Sequence, residues 1–163
     1  MSDPLDDRIR QQDLVVVNPP EAFAMLNSLL MWAGEGAPLP MHMRVLCSSV
    51  LYPVEISRPD QRTLVVRPAE GFLAGRLDRL FRGDWRPFAL GDTIELTGLT
   101  IQVTGVTPDG RPAEARFRFS VPLEDRSLRW MYWKDGEFLP YSPPPVGQEE
   151  RLESGGRLAR WLK

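Results

Sequence analysis

Apolar and polar residues alternate in three consecutive stretches of the chain, at 93–97, 99–104 and 113–121. A period of two is typical of a strand that buries one face and exposes the other. Thr97-Gly98 and Pro108-Asp109-Gly110 separate the three stretches and are residues that favour tight turns. The pattern predicts an antiparallel three-stranded meander whose first two strands form a half-buried hairpin.

A second pattern, closer to the N-terminus, predicts a βαβ unit at 13–50. Asp13–Val17 is a short, mainly apolar run, which is typical of a strand covered on both faces. Asn18-Pro19-Pro20-Glu21 then has the composition of a helix start with Asn18 as N-cap, and apolar residues recur at helical spacing after it. Met43–Cys47 reads as the next strand, and two strands joined by so short a crossover should be parallel.

The rest of the chain, from 53 to 141, is predicted to be mainly antiparallel β-structure, with a short helix within Ala69–Arg82. Further strands are predicted at Val54–Ile56, Thr63–Val66, Ser127–Trp133 and Glu137–Leu139. The fold class that follows is a single α+β domain over 1–147. Its βαβ unit joins the β-meander either in one mixed sheet or as a sheet packed on a barrel-like meander. Residues 148–163 are expected to form a flexible or short helical basic tail.

Composition narrows the classes of function. The chain has 163 residues, is 42% hydrophobic and 26% charged, and carries a formal net charge of −2, which is typical of an ordinary globular protein and unlike a basic nucleic-acid binder. Cys47 and His42 are the single cysteine and the single histidine. One residue of each type excludes an intrachain disulfide, a cysteine cluster and a multi-histidine metal site. We expect no metal, no cofactor and no nucleic-acid partner.

One candidate site lies at the turn that follows the first predicted strand. In open α/β sheets such a turn faces the ligand crevice, and a helix N-terminus there can hold an anion. The glycines of a phosphate-binding loop are missing, and Pro19-Pro20 removes two backbone donors. An enzyme with its site at the Asn18 turn near His42 and Ser48 is the alternative interpretation, in which the single histidine could act as a general base.

A second candidate site is an aromatic binding surface. Trp130, Tyr132 and Trp133 stand within four residues, beside Arg129 and before Tyr141. Alternation along a strand places Trp130 and Tyr132 on one face and Trp133 on the other. Aromatic residues and arginine are enriched at binding interfaces, which favours a partner surface here. The competing interpretation is that both faces are covered and that the rings serve the core.

Five segments spread over most of the chain carry a resemblance to a known group of proteins. They are DLVVVNPP (13–20), RPDQRTLVVRPAEGFL (58–73), GDTIELTGLTIQVT (91–104), PLEDRSLRW (122–130) and PPPVG (143–147). In these segments the chain resembles the soluble portion of uncharacterised multi-spanning bacterial membrane proteins. The matching residues are scaffold residues and include no catalytic motif.

The resemblance implies an extramembrane domain, attached to a membrane through a segment missing from the given chain and otherwise cytoplasmic. Its partner would be the transmembrane part of a parent protein or another protein. No apolar run of the given chain approaches the 18 to 20 residues that span a bilayer. The function expected from the sequence is thus a non-enzymatic binding module, and an enzyme is the alternative.

Overall fold

In the computed structural model the chain is described over residues 6–19, 27, 30–48, 52–72 and 88–153. It divides into two compact units. The first contains Met1–Leu51, Glu124–Ser142 and Gly155–Lys163, and the second contains Tyr52–Leu123 and Pro143–Ser154. The single domain predicted over 1–147 stays a prediction.

The described residues are mainly β-structure, with a 3-10 helix at Asp7–Gln11 and a helical stretch at 30–34. Their strands are β1 (Asp13–Val16), β2 (His42–Val45), β3 (Val54–Asp60), β4 (Thr63–Pro68), β5 (Thr93–Leu96), β6 (Leu99–Val106), β7 (Pro112–Phe119), β8 (Leu128–Lys134), β9 (Glu137–Pro140) and β10 (Glu149–Leu152).

The first unit holds a four-stranded mixed sheet in the order β2-β1-β8-β9. β1 pairs in parallel with β2 on one side and with β8 on the other, and β8 and β9 form an antiparallel hairpin. The predicted parallel pairing of the first two strands is therefore confirmed. One face of this sheet packs on a core cluster of Ile9, Leu14, Val16 and Met131, against which Trp32, Met43, Val45 and Phe138 also pack.

The second unit holds a six-stranded antiparallel sheet in the order β10-β3-β4-β7-β6-β5. The predicted meander is confirmed as β5, β6 and β7, and its apolar residues lie in register across the strands. The sheet does not close, because β5 and β10 lie at opposite edges without pairing to each other. The barrel-like form of the meander is therefore wrong.

The C-terminal region differs from its prediction. Glu149–Leu152 is strand β10, which pairs with β3, where a flexible or helical tail was expected from 148 onward. The Gly147 N–H donates to the Arg58 carbonyl and the Arg58 N–H to the Gln148 carbonyl, so the chain is already aligned with β3 when the strand begins. Residues 154–163, and most of the helix predicted within Ala69–Arg82, lie outside the described residues.

Candidate functional site

The predicted aromatic surface lies on β8 and directly after β9. Trp130 and Tyr132 share one face, and their ring centroids lie 6.2 and 5.8 Å from that of Tyr141. On the opposite face the Trp133 ring meets Phe138 edge-on at 4.7 Å, so the predicted alternation is confirmed. Trp130 and Tyr141 are buried, whereas Tyr132 and Trp133 are half-buried. Tyr141 therefore lies with Trp130 and Tyr132 in a packed cluster of rings.

Arg129, the charged member of that set, is engaged within its own unit. Its Nη2 donates to Asp6 Oδ1 at 3.0 Å. Asp6 also accepts hydrogen bonds from the Arg8 guanidinium and the Arg8 backbone N–H at the start of the 3-10 helix. The hydrogen bond from Arg8, and after it the charge of Arg129, lowers the pKa of the Asp6 carboxyl. Arg129 thus helps to hold the residues that precede β1.

Asn18, the predicted helix cap, has a different role. Its side chain is 2% exposed and pairs with the backbone of Trp133. Nδ2 donates to the Trp133 carbonyl at 3.2 Å, and the Trp133 N–H donates to Oδ1 at 2.9 Å. Both ends of the amide therefore serve the β8 backbone, which corrects the prediction that this amide serves a helix start.

The three residues of the alternative site do not come together. His42 lies opposite Asp13 at the amino end of the two parallel strands. Asn18 lies five residues after Asp13, which corresponds to roughly 15 Å at the rise per residue of a strand. The Cys47 N–H donates to the Val17 carbonyl, which brings Ser48 to the same end as Asn18. His42 is thus separated from Asn18 and Ser48 by the length of β1.

His42 forms a charged cluster with its neighbours at the amino end. Its Nδ1 lies 2.7 Å from Asp13 Oδ1, and Arg44 Nε donates to Asp13 Oδ2 at 3.4 Å. A carboxylate on Nδ1 can orient an imidazole as a base. Within the described ranges, however, no hydroxyl or thiol hydrogen-bonds to the ring. This cluster supplies a base and its orienting group without a nucleophile.

The apolar side of the second sheet is covered unevenly. One row of side chains crosses the sheet through Leu64, Phe117, Ile101 and Ile94, which are opposite one another in register. Leu64 and Phe117 are 0% and 3% exposed, Ile101 is half-buried, and Ile94 is 37% exposed. Leu96, the next residue on this side of β5, is 43% exposed. The apolar face therefore continues beyond its cover, and we call Ile94, Leu96 and Ile101 the uncovered strip.

Among the described residues, no strand pairs with the outer side of β5. Gly91, at φ 89°, and Asp92 together face Val103 in a bulge, because the Gly91 N–H donates to the Val103 carbonyl and the Val103 N–H to the Asp92 carbonyl. Along an antiparallel strand, the backbone N–H and C=O groups of successive residues point alternately toward the paired strand and away from it. The N–H and C=O groups of Thr93 and Glu95 accordingly point away from β6, toward the edge of the sheet.

A concavity of about 580 Å³ lies in the second unit, lined by residues of β3, β4, β10 and the turn between β6 and β7. Its lining includes Glu55, Arg67 and Arg151, which belong to a row of charges that crosses the strands and ends at Glu114. Arg67 Nε donates a hydrogen bond to Glu114 Oε2. The two carboxylate oxygens of Glu55 lie 3.5 Å from Arg67 Nη1 and 3.5 Å from Arg151 Nη1. The hydrogen bond from Arg67 lowers the pKa of Glu114. Since each of these arginines has a carboxylate partner, the row stabilises strand pairing and presents no concentrated charge to a ligand.

The sequence prediction did not identify the uncovered strip, because it described β5 and β6 only as a half-buried hairpin. Alternation along β5 has the same form as alternation along β6 and β7, so it shows which side is apolar and not whether that side is covered. The shortness of β5 and its position at the start of the meander are the available signals, because a terminal strand can lie at a sheet edge.

No helix among the described residues is both long enough and apolar enough to cross a bilayer. In the same part of the chain, no three His, Cys, Asp or Glu side chains are grouped so that they could hold a metal ion. Comparison with known proteins finds no matching family model, no matching curated protein and no matching solved structure.

Proposed function

We propose that this chain is a non-enzymatic interaction module that binds a protein partner through the uncovered strip. The observation that carries the proposal is the change in burial along one row of side chains, from 0% at Leu64 to 37% at Ile94. With Leu96, which is 43% exposed, Ile94 forms a contiguous apolar patch, and contiguous exposed apolar patches commonly mark interaction sites. Covering Ile94 and Leu96 would stabilise a complex by roughly 1 to 3 kcal/mol.

The enzyme alternative has less support. A catalytic base needs a nucleophile or a substrate proton within hydrogen-bond reach, and His42 lies at the opposite end of β1 from Asn18 and Ser48. Both polar atoms of the Asn18 amide are already engaged with Trp133. These contacts support a scaffold role for Asn18 and favour the interaction module over the enzyme.

We further propose that the module is the extramembrane domain of a bacterial membrane protein, which rests on the resemblance described above. Its partner is then the membrane-spanning part of the parent protein or a second protein beside it. Expression of the complete native gene with a C-terminal tag tests this part. The tagged product should remain in the membrane fraction after an alkaline carbonate wash, and recovery in the wash would reject membrane attachment.

Site-specific photocrosslinking in the native host tests the interaction itself. A photoreactive benzoylphenylalanine replaces Leu96 in one variant and Arg116 in a control variant. Arg116 is also exposed and in the same sheet, but on its polar side. We expect a discrete, higher-mass adduct from position 96 and none from position 116. Equal labelling from both positions, or no adduct from position 96, would reject the proposed function.

A further inference from the structure

We infer that β5 takes up its partner by strand addition, and that the partner segment is an extended peptide in which apolar and basic residues alternate. The inference rests on the proposed function, since it names the partner chemistry of the uncovered strip. Three independent properties of β5 support it: open backbone groups at the edge, uncovered apolar side chains on one face, and a carboxylate on the other.

The first property is the open edge. Thr93 and Glu95 direct two N–H and two C=O groups away from β6, and β5 is the last strand of the sheet in the part of the chain that the structure describes. Exposed strand edges bind extended peptides through the same ladder that joins strands within a sheet. The bulge at Gly91 and the turn at Thr97-Gly98 bound this open stretch. A partner therefore pairs over about four residues.

The second property decides which residues the partner places on the core side. An added strand continues the pleat, so its alternate side chains lie on the same face as Ile94 and Leu96. Because those two side chains are 37% and 43% exposed, apolar residues at these positions of the partner would cover them and extend the buried face. Polar residues there would leave the uncovered strip in water.

The third property decides the charge of the intervening residues. Thr93 and Glu95 lie on the polar face of β5, and Glu95 accepts a hydrogen bond from Thr100 Oγ1 at 2.7 Å. Opposite charges on directly paired strands stabilise each other, whereas like charges repel. A Lys or Arg of the partner opposite Glu95 is thus favoured, and an acidic residue there is disfavoured.

A second copy of this chain suits the edge less well. Antiparallel pairing of two β5 strands that sets Ile94 against Leu96 of the copy also sets Glu95 against Glu95, which is a like-charge pair. This like-charge pair favours a separate peptide with basic residues over a second copy.

The test is a peptide titration of the 163-residue chain labelled with ¹⁵N. The probe is a capped heptapeptide in which Val and Lys alternate, and the control peptide alternates Val and Glu. We expect the Val–Lys peptide to shift the amide resonances of Thr93 and Glu95 and to protect them from hydrogen exchange. We expect the other edge, β10, to be unaffected. Shifts confined to β10, or none at Thr93 and Glu95, would overturn the inference.

Two variants sharpen the test. Glu95→Lys should reverse the preference, so that the Val–Glu peptide binds more tightly than the Val–Lys peptide, while Glu149→Lys on β10 leaves the preference unchanged. Leu96→Asp should weaken Val–Lys binding about tenfold by removing apolar cover. Retained amide dispersion confirms that each variant is folded. Equal binding of both peptides to the parent chain, or concentration-dependent self-association that Leu96→Asp abolishes, would contradict a basic partner strand.

The two proposals fail separately. An adduct at position 96 without any peptide effect on β5 would overturn strand addition and leave the interaction module supported. Peptide binding at β5 without an adduct in the native host would support the strand-addition chemistry and reject the proposed function in the cell.

Discussion

Asn18 and Trp133 are 115 positions apart in the sequence, and the side chain of one completes the backbone pairing of the other. Asn18 Nδ2 donates to the Trp133 carbonyl and Asn18 Oδ1 accepts from the Trp133 N–H. Along β1, Val17 donates its N–H to Met131, and the next donor in this series would be Pro19. Proline has no N–H. The Asn18 amide therefore supplies the donor that Pro19 lacks.

Asn18→Ala should lower the free energy of unfolding by about 2 kcal/mol, because it leaves a buried carbonyl and N–H of β8 without partners. Ser48→Ala is the matched control at the same end of the sheet and should change stability by less than about 0.5 kcal/mol. Urea denaturation followed by tryptophan fluorescence measures both variants. Equal, small losses would show that water replaces the Asn18 amide at β8.

Arg58 should be important for stability because it is 3% exposed and donates to three backbone carbonyls. Its guanidinium bonds the carbonyls of Asp60, Gln61 and Pro144, each at 3.2 Å. Arg58→Met should cost about 3 kcal/mol or more, since buried acceptors lose charged donors. Arg118→Met, at an exposed position in the same sheet, should be nearly neutral. Thermal unfolding compares the two, and similar midpoints would contradict this role for Arg58.

Glu114 should make stability depend on pH in the acid range. Hydrogen bonding to Arg67 lowers its folded-state pKa below the ordinary value of 4.5. The stabilisation is therefore complete above pH 4.5 and is lost as pH falls through the folded-state pKa. Glu114→Gln should cost about 1 kcal/mol at pH 7, allowing for the exposure of Arg67. The difference in unfolding free energy between Glu114→Gln and the parent chain should disappear at pH values where the Glu114 carboxyl is protonated in both the folded and the unfolded state.

Chemical denaturation at a series of pH values measures that difference. Glu137→Gln is the control and should track the parent chain, because the Glu137 side chain is exposed at the β8–β9 hairpin and makes no hydrogen bond or ion pair within the described ranges. A cost for Glu114→Gln that stays constant down to pH 2 would reject the ionic contribution.

The Asp109 carboxyl should have an unusually low pKa. Hydrogen bonds from Arg111 and Thr107 lower the pKa of its carboxyl to about 2. In Arg111→Gln the pKa should rise toward the ordinary 3.8, because the charged donor is lost. A ¹³C-detected NMR titration of the side-chain carboxyl reads this value directly. A midpoint near 3.8 in the parent chain would mean that the Arg111 contact does not form in solution.

Alanine substitutions at Gly71 and Gly136 distinguish two costs of adding a side chain, which are backbone strain and steric clash. Both have positive φ, at 74° and 97°, so alanine at either position costs about 1 kcal/mol of backbone strain. At Gly71 the new Cβ would also lie 2.8 Å from Thr107 Cγ2 and 3.0 Å from the Pro112 carbonyl, whereas at Gly136 it meets nothing within 4 Å. Gly71→Ala should therefore cost about 2 kcal/mol more than Gly136→Ala in urea denaturation. Equal costs would show that Thr107 and Pro112 move away from the new methyl group without measurable cost.

Much of the strand structure was predictable from residue patterns. The meander, the hairpin of β8 and β9 and the parallel pair of β1 and β2 follow from alternation, turn residues and a short crossover, which are local properties. β10 was not predictable in this way. Glu149–Leu152 is a charged segment that becomes a strand because the preceding chain is bonded to Arg58 and so lies along the free edge of β3.

The candidate sites were less predictable than the fold. The sequence indicated Asn18, His42 and Ser48 as a group around the turn that follows the first strand. The register of β1 and β2 instead puts His42 at the opposite end from the other two. Similarly, the alternation of Trp130 and Tyr132 was predictable, but their contact with Tyr141 depends on where the chain after β9 returns.

The sequence alone determined which side of each strand is apolar, because side-chain direction alternates with a period of two whatever surrounds the strand. Only the tertiary structure decided which apolar side chains are covered. Ile94 and Leu96 belong to the same alternating pattern as Phe117, yet they lie at a sheet edge where the cover ends. Burial depends on contacts between residues far apart in the chain, and a local pattern contains no information about them.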